Sequence, residues 1–373
     1  MALSTTTVTG HPGHAAPPTP RRGRLAVRLA AVTLVALVGT AACAVPEPEA
    51  PEPITVTPST SPNRVLPPEP QTPVVWPLTG MPTEEVAQRP AVAVKIENTS
   101  AARPQSGLEN ADVVWETIVE FEVSRLIAVY HSQVPAEVGP IRSVRPMDMV
   151  VAAPLKGPFV YSGGQGPLLT LAYASSLQSM THDGGAAGMY RVRFRSAPHN
   201  VYGSIQTFMD NADSEHSAPP AEQFAFAPRP SLAAAVRLGT PATVLDFRLS
   251  GQARPSWTWD AASGTWHRSE GSSAATDAAG NRLAAVNVVT VTAGHPPSGY
   301  GAQGGASIPT YELVGEGDAV IATGGMTVGA RWRKADQDSP LQLFLPDGTP
   351  ALLAPGNTWV ELVPAGKGSL TIG

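Results

Sequence analysis

The chain has 373 residues, 42% of them apolar, enough for a sizeable core and, on the usual length prior, two domains. Its net charge of −5, with no basic block interleaved with aromatics, excludes nucleic acid as an expected partner. A single cysteine rules out a disulfide framework and a thiolate metal site, while 39 Pro and 35 Gly promise turns, loops and a linker.

Arg21, Arg22, Arg24 and Arg28 precede "LAAVTLVALVGTAA" (29–42), an apolar run too short to span a bilayer. Small residues then lead into Cys43, which is the layout of a secretory signal. The ending "GTAAC" resembles a bacterial lipoprotein box, in which the cysteine carries the lipid and opens the mature chain. Residues 1–43 are therefore expected to be a lipoprotein signal peptide. It would leave the protein anchored on the outer face of the plasma membrane. Residues 44–75 alternate prolines with Glu47, Glu49 and Glu52, a composition that buries nothing and suits an extended, disordered stalk.

Folded sequence begins near Trp76. "RPAVAVKIEN" (89–98) reads as a buried strand, and 112–131 as two strands meeting near Phe121–Ser124. A helix is expected from Pro146, with Asp148 in its first turn; a second is expected over Leu168–Met180, and a short third within 204–215. The stretch 216–232 breaks the periodicity and marks a boundary. Beyond it, 255–271 reads as a hairpin, 284–294 as a strand, and 342–364 as two strands about a Pro-Asp-Gly turn. The expected fold class is α+β: a mixed α/β N-terminal domain with a central sheet (76–225), then a smaller, mostly antiparallel β domain (233–373).

"RPAVAVKIENTSAARPQSGLENADVVWE", "GPIRSVRP", "SAPHN" and "PGNTWVELVP" together resemble the YerB-like lipoproteins, a bacterial family of unknown function. The resemblance covers most of 76–373 and implies an envelope location and an N-terminal mixed domain followed by a smaller one. It implies no settled activity. Members tend to carry Glu-Gly-Gly at the turn after the second glutamate, where this chain reads "EFEVSR".

Chemistry must come from the polar groups. Glu116 and Glu120, four apart, would sit about 13 Å from each other on a strand, too far for a self-contained carboxylate pair. Arg142, Ser143 and Arg145 fall at the expected helix entrance, where backbone N–H groups already favour negative charge. Their anion is either a ligand carboxylate or phosphate, or Glu116 or Glu120 of the neighbouring strand. Arg191, Arg193 and Arg195 repeat at period two, one face of a strand if extended. "YSGGQGP" (161–167) lacks the P-loop lysine and suits a tight turn or a close backbone approach. Five of the seven tryptophans fall in the C-terminal half, either as core or as platforms for sugar rings.

Arg103, Gln105, Arg125, Arg142, Ser143, Arg145 and Asn200 are the candidate ligand-binding residues. Glu116, Glu120, Asp183 and His199 are the candidate acid/base groups. No histidine pattern for a metal, no G-x-S-x-G elbow and no implied cofactor is found. The leading expectation is a lipid-anchored envelope protein that binds an anionic ligand, peptidoglycan or another envelope polymer. Two alternatives stay open: a peptidoglycan glycan-cleaving enzyme using a Glu acid/base, and a non-catalytic adaptor for an envelope enzyme or other envelope protein.

Overall fold

β1 (Val92–Glu97) is buried along its whole length, which is why its sequence is a near-continuous apolar run. It pairs antiparallel with β3 (Ser124–Tyr130), itself the second arm of a hairpin with β2 (Val113–Ile118). On its other side β1 pairs parallel with β4 (Pro158–Tyr161), and β5 (Gln178–Thr181) extends the sheet in parallel. Helix α1 (Pro146–Ala152) begins at the expected proline, and its Asp148 carboxylate accepts the Arg145 N–H at 2.7 Å. Helices α2 (Gly166–Tyr173) and α3 (Ile205–Asp210) complete the first half. The coordinates are a computed structural model that describes residues 73–373. The signal segment 1–43, Cys43 and the stalk up to residue 72 lie outside the described residues.

The second half supplies β6 (Val244–Arg248), β7 (Pro255–Asp260) and β8 (Thr265–Glu270), which form an antiparallel sheet with β14 (Ser369–Ile372) against β6. It also supplies β9 (Asn287–Ala293), β10 (Gly315–Thr323), β11 (Met326–Lys334), β12 (Gln342–Phe344) and β13 (Thr358–Pro364). These five join the first half in one eleven-stranded sheet of order β12-β11-β10-β9-β13-β2-β3-β1-β4-β5, with residues 240–241 added on β11. β13 runs parallel to β9 on one side and to β2 on the other, setting Glu361 in register with Glu116. The boundary expected at 216–232 thus divides the sequence without dividing the sheet. Both halves contribute to a mixed α+β architecture.

Three local expectations need correction. The helix expected over 168–180 stops at Tyr173: the Ser175 hydroxyl donates to the Ala172 carbonyl at 2.7 Å and ends it. The parallel ladder with β4 then takes 178–181 as a strand. The period-two arginines do not share a strand face, because the two-stranded ribbon of Met189–Arg191 and Val201–Gly203 ends at Arg191. Arg193 and Arg195 lie on the loop that follows. The two strands of 342–364 do not pair, since β12 is an edge and β13 is central; the Pro-Asp-Gly turn folds 343–345 back only onto 349–351.

The β2–β3 turn carries strain. Phe121 (φ 61°) and Glu122 (φ 59°) both occupy the left-handed region, which costs a non-glycine residue roughly 1–2 kcal/mol.

His131 gives the fold an acid-sensitive point. Its ring is fully buried, edge-on to Trp76 with centroids 5.1 Å apart, and burial pulls the imidazole down to about 4. The unfolded chain protonates near the ordinary value, so this stability is complete above about pH 6.5 and is lost as pH falls towards 4. Urea unfolding at pH 7 and pH 4.5 should differ by about 2–3 kcal/mol. His131→Leu should flatten that difference.

Candidate functional site

The hairpin turn at 120–123, the loop 139–145 entering α1, the loop 163–165 entering α2 and His199 enclose a cleft of 510 Å³. Of the candidates, Glu120, Arg125, Arg142, Ser143, Arg145, Asp183 and His199 all line this cleft.

Glu120 is gripped by a fork. Arg145 Nε donates to its Oε2 at 2.6 Å and Arg145 Nη2 to its Oε1, while Arg125 Nη2 lies 3.4 Å from Oε1. Other donors of these arginines go to main chain: Arg145 Nη1 to Val144 O at 2.7 Å and Arg125 Nη1 to Ser143 O at 2.8 Å. Burial alone would raise the Glu120 carboxyl, but the Arg145 hydrogen bonds and both guanidinium charges outweigh it and hold it at about 2. Arg125 is pulled down to about 9, first by burial and then by the charge of Arg145.

Beside this grip, Glu97 accepts Thr99 Oγ1 at 2.8 Å, lies 2.9 Å from His199 Nδ1, and lies 3.4 Å from Arg142 Nε. Asp148 is neutralised separately by buried Lys95, 2.6 Å away, whose amine burial lowers to about 8 against the pull of Asp148. Three guanidiniums therefore share two carboxylates, Glu97 and Glu120, in the floor of the cleft. Asp183 stands two-thirds exposed at the rim, where solvent screens it.

The structure sends the other candidates elsewhere. Arg103 pairs with Glu270 at 2.8 Å, and Gln105 donates to Glu97 O and Asn98 Oδ1; both line a separate crevice of 290 Å³. Asn200 is buried and accepts Arg191 Nη1 at 2.6 Å. Glu116 points into the core, where Arg268 Nη2 donates to it at 2.6 Å. Arg268 also binds Glu361 at 2.7 Å and Glu270 at 2.8 Å, between the rings of Trp257 and Trp359. Trp257, Trp266, Trp332 and Trp359 are core residues, at most 2% exposed.

Sequence reasoning missed Lys95 and Glu97. Both fall on one face of β1 at period two within an apolar run, and that was the available signal. Arg268, Glu270 and Glu361 were missed as well. Their cluster depends on β13 lying beside β2, which no local pattern carries.

Residues 78–218 match the N-terminal domain of the DUF3048 proteins of unknown function, and residues 245–360 match the C-terminal domain. A Bacillus subtilis (strain 168) protein described as "Putative lipoprotein YerB" is 36% identical over 143 residues. That alignment spans 37% of this chain and 43% of the relative, less than half of its length. A crystal structure of the YerB protein from Bacillus subtilis superposes with a TM-score of 0.67 at 24% identity, covering 80% of this chain and 99% of that one. The likeness shows that the two share a fold. With both domain models matched in order over most of the described residues, the chain belongs to the DUF3048 family, the YerB-like group that its sequence motifs resemble.

Proposed function

We propose that this protein is anchored by lipid outside the cell membrane and binds, through the arginine cleft, an anionic group of an envelope polymer such as peptidoglycan. One observation carries the reading: among the described residues, the Arg142 guanidinium makes no hydrogen bond to a carboxylate. Its Nε is buried yet lies 3.4 Å from Glu97 without hydrogen-bond geometry, and its Nη1 reaches only Pro198 O, at 3.5 Å. The side chain is 22% exposed and lines the cleft, while Arg125 and Arg145 are engaged by Glu120 and main-chain carbonyls and form its walls. A planar fork with free donors and surplus positive charge around it suits a carboxylate or phosphate. The lipoprotein box at Cys43 and the description of the relative support the anchor. Acid/base cleavage of glycan has less support, because Glu116 is fully buried and Glu120, held at about 2, has no proton to donate at envelope pH.

Arg142→Gln should weaken binding to purified sacculi and muropeptides at least tenfold, since charged hydrogen bonds contribute about 1.5–3 kcal/mol, and should leave the melting temperature unchanged. Undiminished binding by this variant would remove the site assignment.

A further inference from the structure

We propose that the arginine cleft is one half of a longer groove that continues over Phe121 into a second cleft bearing two exposed cations and holds a linear glycan bearing an anionic group on alternate sugars. The proposal rests on the anion-binding reading of the first cleft. On the far side of the β2–β3 turn lies a second cavity of 620 Å³, and Glu120 and Phe121 line both. The ribbon over residues 297–309 also borders both, with Ala302 and Ile308 on the arginine side and Pro297 and Pro309 on the other. The two cavities are thus neighbours that share the turn residues Glu120 and Phe121.

That side chain is unusual in three ways. Phe121 is 60% exposed, it sits at φ 61° and ψ 22°, and the strained residue after it is tied down rather than free. The Ser250 hydroxyl donates to Glu122 O at 2.5 Å, and the Gly251 N–H donates to the Glu122 carboxylate at 3.1 Å. Folding gains little from a solvent-facing ring on left-handed backbone, and strain of this kind collects where a side chain must be presented. A presented aromatic face suits the apolar face of a sugar ring.

The second cleft also carries two cations, beside the carboxylates of Glu120 and Glu122. Arg248 and Lys367 line it, both exposed, and among the described residues neither has a carboxylate partner. Glu122, in the same wall, accepts the Gly251 N–H. Cation, ring and cation in sequence match a strand in which anionic substituents alternate with uncharged rings. A free anion would need only one of the two clefts.

The test uses the full chain in detergent and three probes: a disaccharide–tetrapeptide muropeptide, amidase-released glycan strands of many repeats, and a neutral chitin oligosaccharide of matching length. Wild type should prefer the charged strand to both other probes. Phe121→Gly should cut the ratio of strand to muropeptide affinity at least tenfold while raising the melting temperature, so that binding and stability move in opposite directions. Arg248→Gln with Lys367→Gln should cut the same ratio, and Arg142→Gln should weaken both charged probes. If Phe121→Gly and the double variant keep the full ratio while Arg142→Gln weakens both probes, the groove is refuted and the anion site stands. If Arg142→Gln weakens neither, the underlying site reading fails. Equal binding of neutral and charged strands also overturns the proposal.

Discussion

Arg268→Met is expected to destabilise the protein by about 3–5 kcal/mol, enough to lower the melting temperature by about 10 °C. The guanidinium is 1% exposed and faces Glu116, Glu270 and Glu361 together. Removing the cation leaves buried carboxylates facing one another, and methionine returns only the packing between Trp257 and Trp359. The three acids are not equivalent. Burial, followed by the charge of neighbouring Glu116, pushes the Glu361 carboxyl well above its ordinary value. Glu361 Oε1 accepts both Arg268 Nη1 and Trp257 Nε1, which an amide oxygen does equally well. Glu361→Gln should therefore cost less than about 1 kcal/mol, in contrast to Arg268→Met. Chemical denaturation of the two variants separates these outcomes, and a large loss in Glu361→Gln would show that this carboxyl is ionised.

That cluster also marks where sequence reading stops. The hairpin of β2 and β3, the start of α1 at Pro146 and the hairpin of β7 and β8 rest on local turn and capping chemistry, so they were legible. The position of β13 between β9 and β2 is a pairing of strands distant in sequence. Its apolar run says only that it is buried. Since Glu361 meets Glu116 through that pairing and Arg268 faces Trp257 across β7 and β8, the charged core could not be assembled from motifs. The cleft was more legible: Arg142, Ser143 and Arg145 lie just before a predicted helix, and Glu120 lies beside the predicted meeting point of two strands. What the sequence left open was which anion met which arginine. Lys95 claims Asp148 and Arg145 claims Glu120, so Arg142 is left facing the cleft.

Glu120→Gln should move stability and anion affinity in opposite directions. The carboxyl is held at about 2 in the folded chain against an ordinary value near 4.5. Its contribution, about 3 kcal/mol, is complete above about pH 4.5 and is lost as pH falls towards 2. Glu120→Gln should remove that loss between pH 4.5 and 2 and lower stability at pH 7 by about the same amount, because Arg145 and Arg125 lose their shared counter-charge. The same change adds one positive charge to the cleft floor and frees part of the Arg145 fork. An anion should then bind about tenfold more tightly to whatever fraction remains folded. Phosphate and muropeptide titrations at pH 7, with urea curves on the same sample, read both effects at once. Weaker anion binding in a folded Glu120→Gln protein would mean that Glu120 positions Arg142 or the ligand rather than competing with it, and the charge balance of the cleft would have to be redrawn around Glu97.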